Sequence, residues 1–456
     1  MDQLLDSPVY MAFLSPMRRS LMVSAMLLGL ALSSNGCQST QPTDPKPAPQ
    51  ASLQPPQPAL PTQLLTVALS TPNPALSPDI NTFLEGTATA GAARQTQGVW
   101  IQTNDQLLAN YQGTVPLSAA SLTKVATSLA ALETLGPNYR FTTQVGMTGA
   151  IQNGVLRGDL VVQGGQDPFF VWEDAIALAN LLQQQGIRQI KGNLVLVGPF
   201  YMNYETDPAT AGTFLKQGLD AALWPAEALQ QYQTLPPTTP QPALNITGTI
   251  TPLSAAPPSV QWLLRHDSLP LTALLKKMNR YSNNAMAEMI AASLGGASVV
   301  AQKAIAATGV PATEIQLVNG SGLAVENRMS PRAACALFLA IEQRLRSQGI
   351  PIADLFTVMG QDESVLDQRP LPRHAVLKSG TLDTVSALAG ALPTRQNEVV
   401  WFALINNDGN VETFRGLQEK LLDTLQASLG TPVSISAELT PTPTNTSTAE
   451  SLWTRL

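Results

Sequence analysis

The chain of 456 residues has only two histidines and two cysteines, and only 13% of its residues are charged. His266 and His374 belong to no H-x-x-x-H or H-E-x-x-H pattern and no C-x-x-C pair exists, so a protein-built zinc site is not expected. Neither histidine lies near a G-x-S-x-G motif, which argues against a Ser-His-Asp triad. Any acid–base chemistry is therefore assigned to lysine, carboxylate or tyrosine side chains.

Clustered positive charge is also missing. The net charge is −6, the pI is near 5.1, and no run of basic residues occurs. Because phosphate backbones are bound by clustered Lys and Arg, nucleic acid is not expected as a partner. The hydrophobic content of 44% allows a substantial core, and the length predicts two or three domains.

The amino-terminal segment predicts export. Two arginines precede an apolar run at residues 21–32, which is too short for a membrane span of roughly 20 residues but suits a signal peptide. A buried amphipathic helix is the alternative. Gly36-Cys37 resembles a bacterial lipobox, so we expect a signal peptide over residues 1–37, a periplasmic location and membrane attachment through lipidated Cys37. Ordinary signal cleavage is the alternative to lipidation.

Two segments have compositions that cannot bury enough apolar surface to fold. Pro, Gln, Ser and Thr dominate residues 38–62, and the carboxyl-terminal segment has the same character. We predict a proline-rich linker over residues 38–75 and a disordered tail over residues 433–456. Cys335 then has no disulfide partner, and its apolar surroundings predict a buried free thiol.

The first candidate catalytic element is Ser121-Leu-Thr-Lys124, ahead of a stretch of helical composition at residues 126–135. Side chains three residues apart on a helix share a face, so Ser121 and Lys124 can meet. A lysine that burial or nearby charge keeps neutral can take the serine proton. Such a pair is also common on solvated helix faces, so alone it is a weak signal.

The second element is Ser282-x-Asn284, on a short turn between two helical stretches. The Ser282 hydroxyl can relay a proton to a leaving amine, and the Asn284 amide can hold a substrate backbone. By itself this pattern is equally typical of a helix N-cap, which Ser and Asn both favour.

The third element is Lys378-Ser379-Gly380-Thr381, before strand-like segments at residues 386–392 and 399–406. A lysine and two hydroxyls on an edge strand suit a peptide that ends in a carboxylate. Gly380 lets a substrate backbone come close. A strand-end turn is the alternative interpretation.

Taken in order, the three elements resemble the S-x-x-K, S-x-N and K-[ST]-G motifs of penicillin-recognising serine enzymes. Further segments are similar to the D-Ala-D-Ala carboxypeptidase family called peptidase S13, the penicillin-binding protein 4 type. These segments are residues 132–143, 156–168, 184–196, 266–271 and 319–331. The chain departs from the family pattern at Asn319, Ala324 and Ser379, where the family usually has Asp, Ser and Thr.

The resemblance implies an α/β (α+β) fold: a penicillin-binding/β-lactamase-like transpeptidase domain, with an antiparallel sheet flanked by helices and a smaller inserted domain. We place the catalytic domain at residues 76–144 and 258–432 and the inserted domain at residues 145–257.

The resemblance also implies a serine-type D-Ala-D-Ala carboxypeptidase or endopeptidase that hydrolyses peptidoglycan stem peptides without a metal or other cofactor. Ser121 would form an acyl-enzyme that β-lactam antibiotics also form as inhibitors, and the backbone N–H groups of Ser121 and Thr381 would bind the oxyanion. The predicted catalytic residues are Ser121, Lys124 and Ser282; the predicted substrate-binding residues are Asn284, Lys378, Ser379, Gly380 and Thr381. The alternatives are a β-lactamase or esterase of the same fold and a catalytically inactive wall-binding lipoprotein.

Overall fold

The computed structural model describes residues 65–395, 398–443 and 452–456. The predicted signal peptide, Cys37 and most of the predicted linker lie outside these ranges. The helices are α1 (Ser77–Thr89), α2 (Thr123–Leu135), α3 (Trp172–Gln184), α4 (Pro208–Gly218), α5 (Ala226–Tyr232), α6 (Leu271–Arg280), α7 (Asn284–Ser293), α8 (Ala297–Thr308), α9 (Pro331–Arg346) and α10 (Val411–Leu429).

The strands of the first part of the chain are β1 (Gln97–Gln102), β2 (Leu107–Tyr111), β3 (Leu117–Ser118), β4 (Thr142–Met147), β5 (Ala150–Gln152), β6 (Val155–Arg157), β7 (Leu160–Gln163), β8 (Gln189–Ile190), β9 (Leu194–Val197), β10 (Asn245–Ile246), β11 (Ile250–Leu253) and β12 (Gln261–Asp267). They are followed by β13 (Ile315–Gln316), β14 (Arg328–Met329), β15 (Thr357–Val358), β16 (Val376–Leu382), β17 (Val385–Pro393), β18 (Val399–Asn406) and β19 (Leu452–Arg455).

The main sheet has six strands in the order β15-β16-β17-β18-β1-β2, and every neighbouring pair is antiparallel. The side chains of strand β18 show that this sheet is buried on both faces. Side chains alternate along a strand, so Val400, Phe402 and Leu404 pack with α1 and α10 on one face. Trp401 and Ala403 point to the opposite face, where they belong to the core formed with α2, α6, α7, α8 and α9. The predicted antiparallel sheet flanked by helices is confirmed.

The helical layer is built from α2, α6, α7, α8 and α9. Cys335 lies at its centre in α9, where burial raises the thiol pKa above its ordinary value, and the predicted buried free thiol is confirmed. Across the described ranges, no single helix is both long and apolar enough to cross a membrane; the bent pair α7 and α8 meets both criteria only when counted together.

Between β4 and β12 the chain forms two further sheets around a separate hydrophobic core. The larger has the order β11-β9-β7-β4-β12-β19, in which β7, β9 and β11 run parallel. Parallel neighbours need crossover connections, which here contain α3, α4 and α5. Strands β4 and β12 carry the chain into and out of this region as an antiparallel pair.

Within the predicted disordered tail, the described residues Ala437–Leu439 and Leu452–Arg455 instead form a 3-10 turn and a strand. Strand β19 pairs antiparallel with β12, and Leu439 is fully buried. The physical reason lies in single apolar side chains within a polar segment: the Trp453 ring packs on His266 and Phe170. Because a segment's composition is an average, it does not reveal a single packed apolar side chain such as Trp453.

His266 of β12 is fully buried and lies between two carboxylates. Its Nε2 lies 3.0 Å from Asp174 Oδ1, and its Nδ1 lies 3.7 Å from Asp167 Oδ2. Burial raises the pKa of Asp167 to about 7. Burial lowers the pKa of His266, but the hydrogen bond to Asp174 and the charges of Asp174, Asp167 and Asp267 together outweigh this effect and leave that pKa above its ordinary value. The cluster joins α3, β12 and the loop after β7 just before the chain enters α6.

Candidate active site

Ser121 lies in a short 3-10 turn, Ala120–Leu122, directly before α2. The preceding residue, Ala120, has a φ of 47°, a left-handed conformation that non-glycine residues rarely adopt. Gly322 packs so tightly against this turn that a Cβ atom there would lie 1.9 Å from the Ala120 carbonyl oxygen. Backbone strain of this kind persists only where the surroundings hold it in place, so the turn that presents the half-buried Ser121 is rigidly fixed.

Lys124 is fully buried one helical turn after Ser121. Its Nζ lies 2.9 Å from Ser121 Oγ, 2.7 Å from Asn284 Oδ1 and 2.7 Å from the Ser321 carbonyl oxygen. Burial lowers its pKa well below the ordinary value, the charge of Lys378 lowers it further, and the charge of Glu288 raises it. Two of the three partners can only accept hydrogen bonds, so a neutral amine keeps its lone pair for the Ser121 proton.

Ser282 and Lys378 form a second hydroxyl–amine pair. Lys378 Nζ donates to Ser282 Oγ at 2.9 Å and to the Ser379 carbonyl at 2.7 Å. Burial lowers the pKa of Lys378 to about 7. The N-cap of α7 is Asn283, whose side chain accepts from the Met286 N–H at 2.9 Å. The helix-cap alternative thus applies to Asn283, and Ser282 and Asn284 remain available for the site.

Strand β16 runs alongside the Ser121 turn. A Cβ atom at Gly380 would lie 2.7 Å from the Ala119 carbonyl oxygen and 2.9 Å from the Ser121 nitrogen. Only a glycine therefore allows the strand to come this close to the turn. Ser379 is half-buried and Thr381 is exposed, so the strand offers hydroxyl groups next to the nucleophile.

Glu288 supports the site and was not singled out by the motif analysis. Its carboxylate accepts the N–H groups of Gly320 at 3.1 Å and Ser321 at 2.9 Å. This contact holds the Ser321 carbonyl where Lys124 can donate to it. The sequence signal is the spacing, because Glu288 follows Asn284 by four residues and shares its helix face.

The side chains of Asn319 and Asn327 form hydrogen bonds within the loop that carries Ser321 and hold it closed. Asn319 Oδ1 accepts from the Gly322 N–H at 2.9 Å and from Asn327 Nδ2 at 2.7 Å. The Asn327 side chain also accepts from the Val318 N–H at 3.0 Å. Asparagine keeps the acceptor oxygen that an aspartate would supply here, so the departure at Asn319 leaves this turn closed.

The contacts above link the predicted residues into one site, while lipidation of Cys37 stays a prediction because that residue lies outside the described ranges. The residues linked are Ser121, Lys124, Ser282, Asn284, Lys378, Ser379, Gly380 and Thr381. Within the described ranges, no group of three or more His, Cys, Asp or Glu side chains is arranged to hold a metal ion.

An antiparallel sheet covered by helices, with two buried lysines that each bond a serine beside one strand, defines the penicillin-binding/β-lactamase-like class. The chain belongs to the D-Ala-D-Ala carboxypeptidase 3 (S13) family, whose family model matches residues 82–204 and 234–427. The protein is a serine-type D-Ala-D-Ala carboxypeptidase of that family.

Curated relatives carry matching names. The D-alanyl-D-alanine carboxypeptidase DacB of Haemophilus influenzae is 23% identical over 400 residues, which cover 66% of this chain and 83% of the relative. The carboxypeptidase DacB of Mycolicibacterium smegmatis is 28% identical over 338 residues, which cover 64% of this chain and 72% of the relative.

Solved structures share the fold. A penicillin G-acylated predatory endopeptidase from Bdellovibrio bacteriovorus matches with a TM-score of 0.66 and 19% identity, covering 79% of this chain and 99% of that chain. Penicillin-binding protein 4 of Haemophilus influenzae, in complex with a β-lactam, matches with a TM-score of 0.57 and 22% identity. The match covers 76% of this chain and 99% of that chain.

Replacing Gly380 with alanine tests the close approach of β16 to the Ser121 turn. The new Cβ would collide with backbone atoms, and the Ser121 N–H would move from its place. Removal of one oxyanion donor typically costs about 10²–10³ in rate. We expect the rate of acylation by a fluorescent penicillin to fall by about 10²-fold or more in the Gly380→Ala variant.

Gly416→Ala is the matched control, since a Cβ at this position in α10 meets no atom within 4 Å beyond its chain neighbours and the backbone of its own helix. This variant should be acylated at the wild-type rate. Equal acylation rates for wild type and Gly380→Ala, in a folded sample, would contradict the geometry described for the strand.

Proposed function

We propose that the protein removes the terminal D-alanine from peptidoglycan stem peptides through an acyl-enzyme on Ser121, and that β-lactams acylate the same hydroxyl. The observation that carries this proposal is the buried Lys124 amine, 2.9 Å from Ser121 Oγ. The names of the curated relatives and the β-lactam complexes of the structural neighbours support it.

In the first step Lys124, in its neutral form, takes the Ser121 proton while Oγ attacks the carbonyl carbon of the penultimate D-alanine. Burial favours the neutral amine, because charge is costly away from water. The Ser121 and Thr381 N–H groups stabilise the resulting oxyanion, and donors of this kind each contribute about 3–4 kcal/mol.

In the second step Ser282 passes a proton to the departing amine of the terminal D-alanine. Lys378 donates to Ser282 Oγ and can replace that proton. Water then hydrolyses the ester on Ser121: its hydroxide joins the acyl carbon, the proton held by Lys124 returns to Ser121 Oγ, and the second proton of the water restores Lys378. A β-lactam follows the same first step and leaves a slowly hydrolysed acyl-enzyme, because its ring nitrogen stays attached after the amide opens.

Endopeptidase activity on cross-linked peptides is the second candidate. It is favoured by the structural neighbours from Bdellovibrio bacteriovorus, whose descriptions name them predatory endopeptidases. The chemistry is the same as in the carboxypeptidase reaction, and only the group beyond the scissile amide differs.

Class A β-lactamases use a glutamate that activates water for deacylation. Glu288 lies close enough for its charge to act on Lys124. Both of its oxygens, however, accept backbone N–H groups of the Ser321 loop. Glu288 therefore holds this loop in place and is not free to activate water. We accordingly expect slow deacylation of a penicillin adduct.

The Ser121→Ala variant tests the proposal directly. We expect it to lose both penicillin adduct formation and release of D-alanine from a peptide that ends in D-Ala-D-Ala, because no other group replaces the nucleophile. Adduct formation is measured by intact mass and by peptide mapping, and released D-alanine by an enzyme-coupled assay.

Ser347→Ala is the control, since this exposed serine lies at the end of α9 and its hydroxyl donates to the Arg344 carbonyl at 2.8 Å. It should keep both activities. An adduct of wild-type protein mapped to another residue, or undiminished D-alanine release by Ser121→Ala, would overturn the assignment of Ser121.

The proposal extends to location: the protein is exported, and a lipid on Cys37 attaches it to the periplasmic face of a membrane. The short apolar run and the Gly36-Cys37 junction support this. A tether of the 38–62 composition could extend several nanometres, at roughly 3 Å per residue. Since all predicted catalytic residues follow it, we expect Cys37→Ser to move penicillin labelling from the membrane fraction to the soluble periplasm without reducing it. Soluble wild-type protein, processed at a site other than Gly36-Cys37, would contradict lipidation and leave export alone.

A further inference from the structure

Lys276 is a largely buried lysine that the proposed mechanism does not use. It lies in α6, the helix that leads to Ser282, and its side chain is only 15% exposed. Its Nζ donates to the Ala353 carbonyl at 2.7 Å, to the Phe356 carbonyl, and to Asp362 Oδ2 at 2.5 Å. An ammonium group has three N–H donors, and these three acceptors use all of them.

The contacts of Lys276 favour its charged form, in contrast to those of Lys124. Burial lowers the pKa of Lys276 below its ordinary value, even though the charge and the hydrogen bond of Asp362 raise it. All three partners of Lys276 can only accept hydrogen bonds, whereas Ser121 can donate to a neutral Lys124. A neutral Lys276 would leave one acceptor without its donor. Lys276 is therefore suited to hold two parts of the structure together and not to act as a base.

Asp362 connects α6 to the edge of the main sheet. Its Oδ2, the atom that Lys276 binds, also accepts the Val358 N–H at 2.8 Å. Val358 belongs to β15, which pairs with β16 directly before Lys378. The ion pair therefore joins the helix that leads to Ser282 with the part of the sheet that carries Lys378.

Arg280, the last residue of α6, makes a second connection to the same segment. Its Nε and Nη2 donate to the Glu363 carbonyl at 2.9 Å and 2.6 Å. Its own carbonyl accepts the Val365 N–H at 3.2 Å. The segment that contains Asp362 is thus fixed to α6 by both side-chain and backbone contacts.

The turn after α6 depends on such support because its backbone is strained. Ser282 has a φ of 51°, which a non-glycine residue rarely adopts and which persists only where the surroundings hold it. Its N–H donates to the Asn279 carbonyl at 3.3 Å, and its hydroxyl accepts from Lys378 at 2.9 Å. Proton transfer through Ser282 requires the second contact, and a displacement of about 1 Å can cost about 10²-fold in rate.

We propose, as an inference that rests on the proposed function, that the Lys276–Asp362 ion pair keeps Ser282 Oγ in contact with Lys378 for protonation of the leaving amine. Both residues act through Ser282 and are therefore positioning residues. Removing one partner of a buried ion pair leaves the other charge uncompensated. The segment between α6 and β15 should then shift, and the distance from Ser282 Oγ to Lys378 Nζ should increase.

The test compares two substrates with the same acyl group. One is a peptide that ends in D-Ala-D-Ala, and in the other a sulfur atom replaces the nitrogen of the scissile amide. Because a thiol has a pKa of about 8.5, the sulfur departs as a thiolate without receiving a proton. Lys276→Met and Asp362→Asn should each lower kcat/KM for the amide by about tenfold or more and change that for the thioester by less than about twofold.

Glu363→Gln is the matched control for Asp362→Asn. It removes a carboxylate from the next position, which is exposed, and the contact of Glu363 with Arg280 uses only the backbone carbonyl. This variant should hydrolyse both substrates at wild-type rates.

Asp362→Asn keeps the shape of the side chain, so it decides the question if Lys276→Met does not fold. A wild-type ratio of the amide and thioester rates in folded Asp362→Asn protein, whether both rates are unchanged or fall equally, overturns the positioning role alone. Wild-type protein that cleaves neither substrate and forms no penicillin adduct overturns the proposed function, and the role of the ion pair with it.

Discussion

A lysine amine enclosed by the protein is the interaction on which the rest of the site depends. Lys124 is buried with three hydrogen-bond partners from three separate elements: Ser121 before α2, Asn284 of α7 and the carbonyl of Ser321. An isolated buried ammonium is costly, and the protein can lower that cost by releasing the proton. The same burial that shifts its pKa therefore creates a base next to the hydroxyl.

The surrounding fold keeps these elements in register by close backbone contacts. Gly322 packs on the carbonyl of Ala120, and Gly380 packs on the nitrogen of Ser121. Neither position has room for a β-carbon, so the turn is held from the loop on one side and from the main sheet on the other. Glu288 adds the polar link that fixes the Ser321 carbonyl. A rigid enclosure of this kind suits a reaction whose donors must be in place before charge develops.

The sequence predicted the Ser121–Lys124 contact because spacing on a helix dictates it. Local patterns predicted the strand-like segments at residues 386–392 and 399–406, whereas the antiparallel sheet flanked by helices was expected from the family resemblance. Contacts between distant segments were beyond the same reasoning. The bond from Lys124 to Asn284 spans 160 residues, and only the family resemblance suggested that the two would meet. Glu288 was missed because its contacts with the Gly320 and Ser321 N–H groups join segments 32 and 33 residues apart, and its spacing from Asn284 showed only that the two share a helix face. The strand at residues 452–455 was missed because one tryptophan outweighs a polar composition.

The charge state of Lys124 tests this account most directly. The Nζ pKa can be measured by NMR on protein labelled with ¹³C at the lysine ε carbon, with Lys124→Arg identifying the signal. Lys378 should give a second shifted signal, because burial also lowers its pKa, to about 7. The account predicts a Lys124 pKa well below the ordinary value of about 10.4, so that neutral amine is available to Ser121 at neutral pH. A Lys124 signal that stays protonated up to that ordinary value would contradict the assignment of lysine as the base.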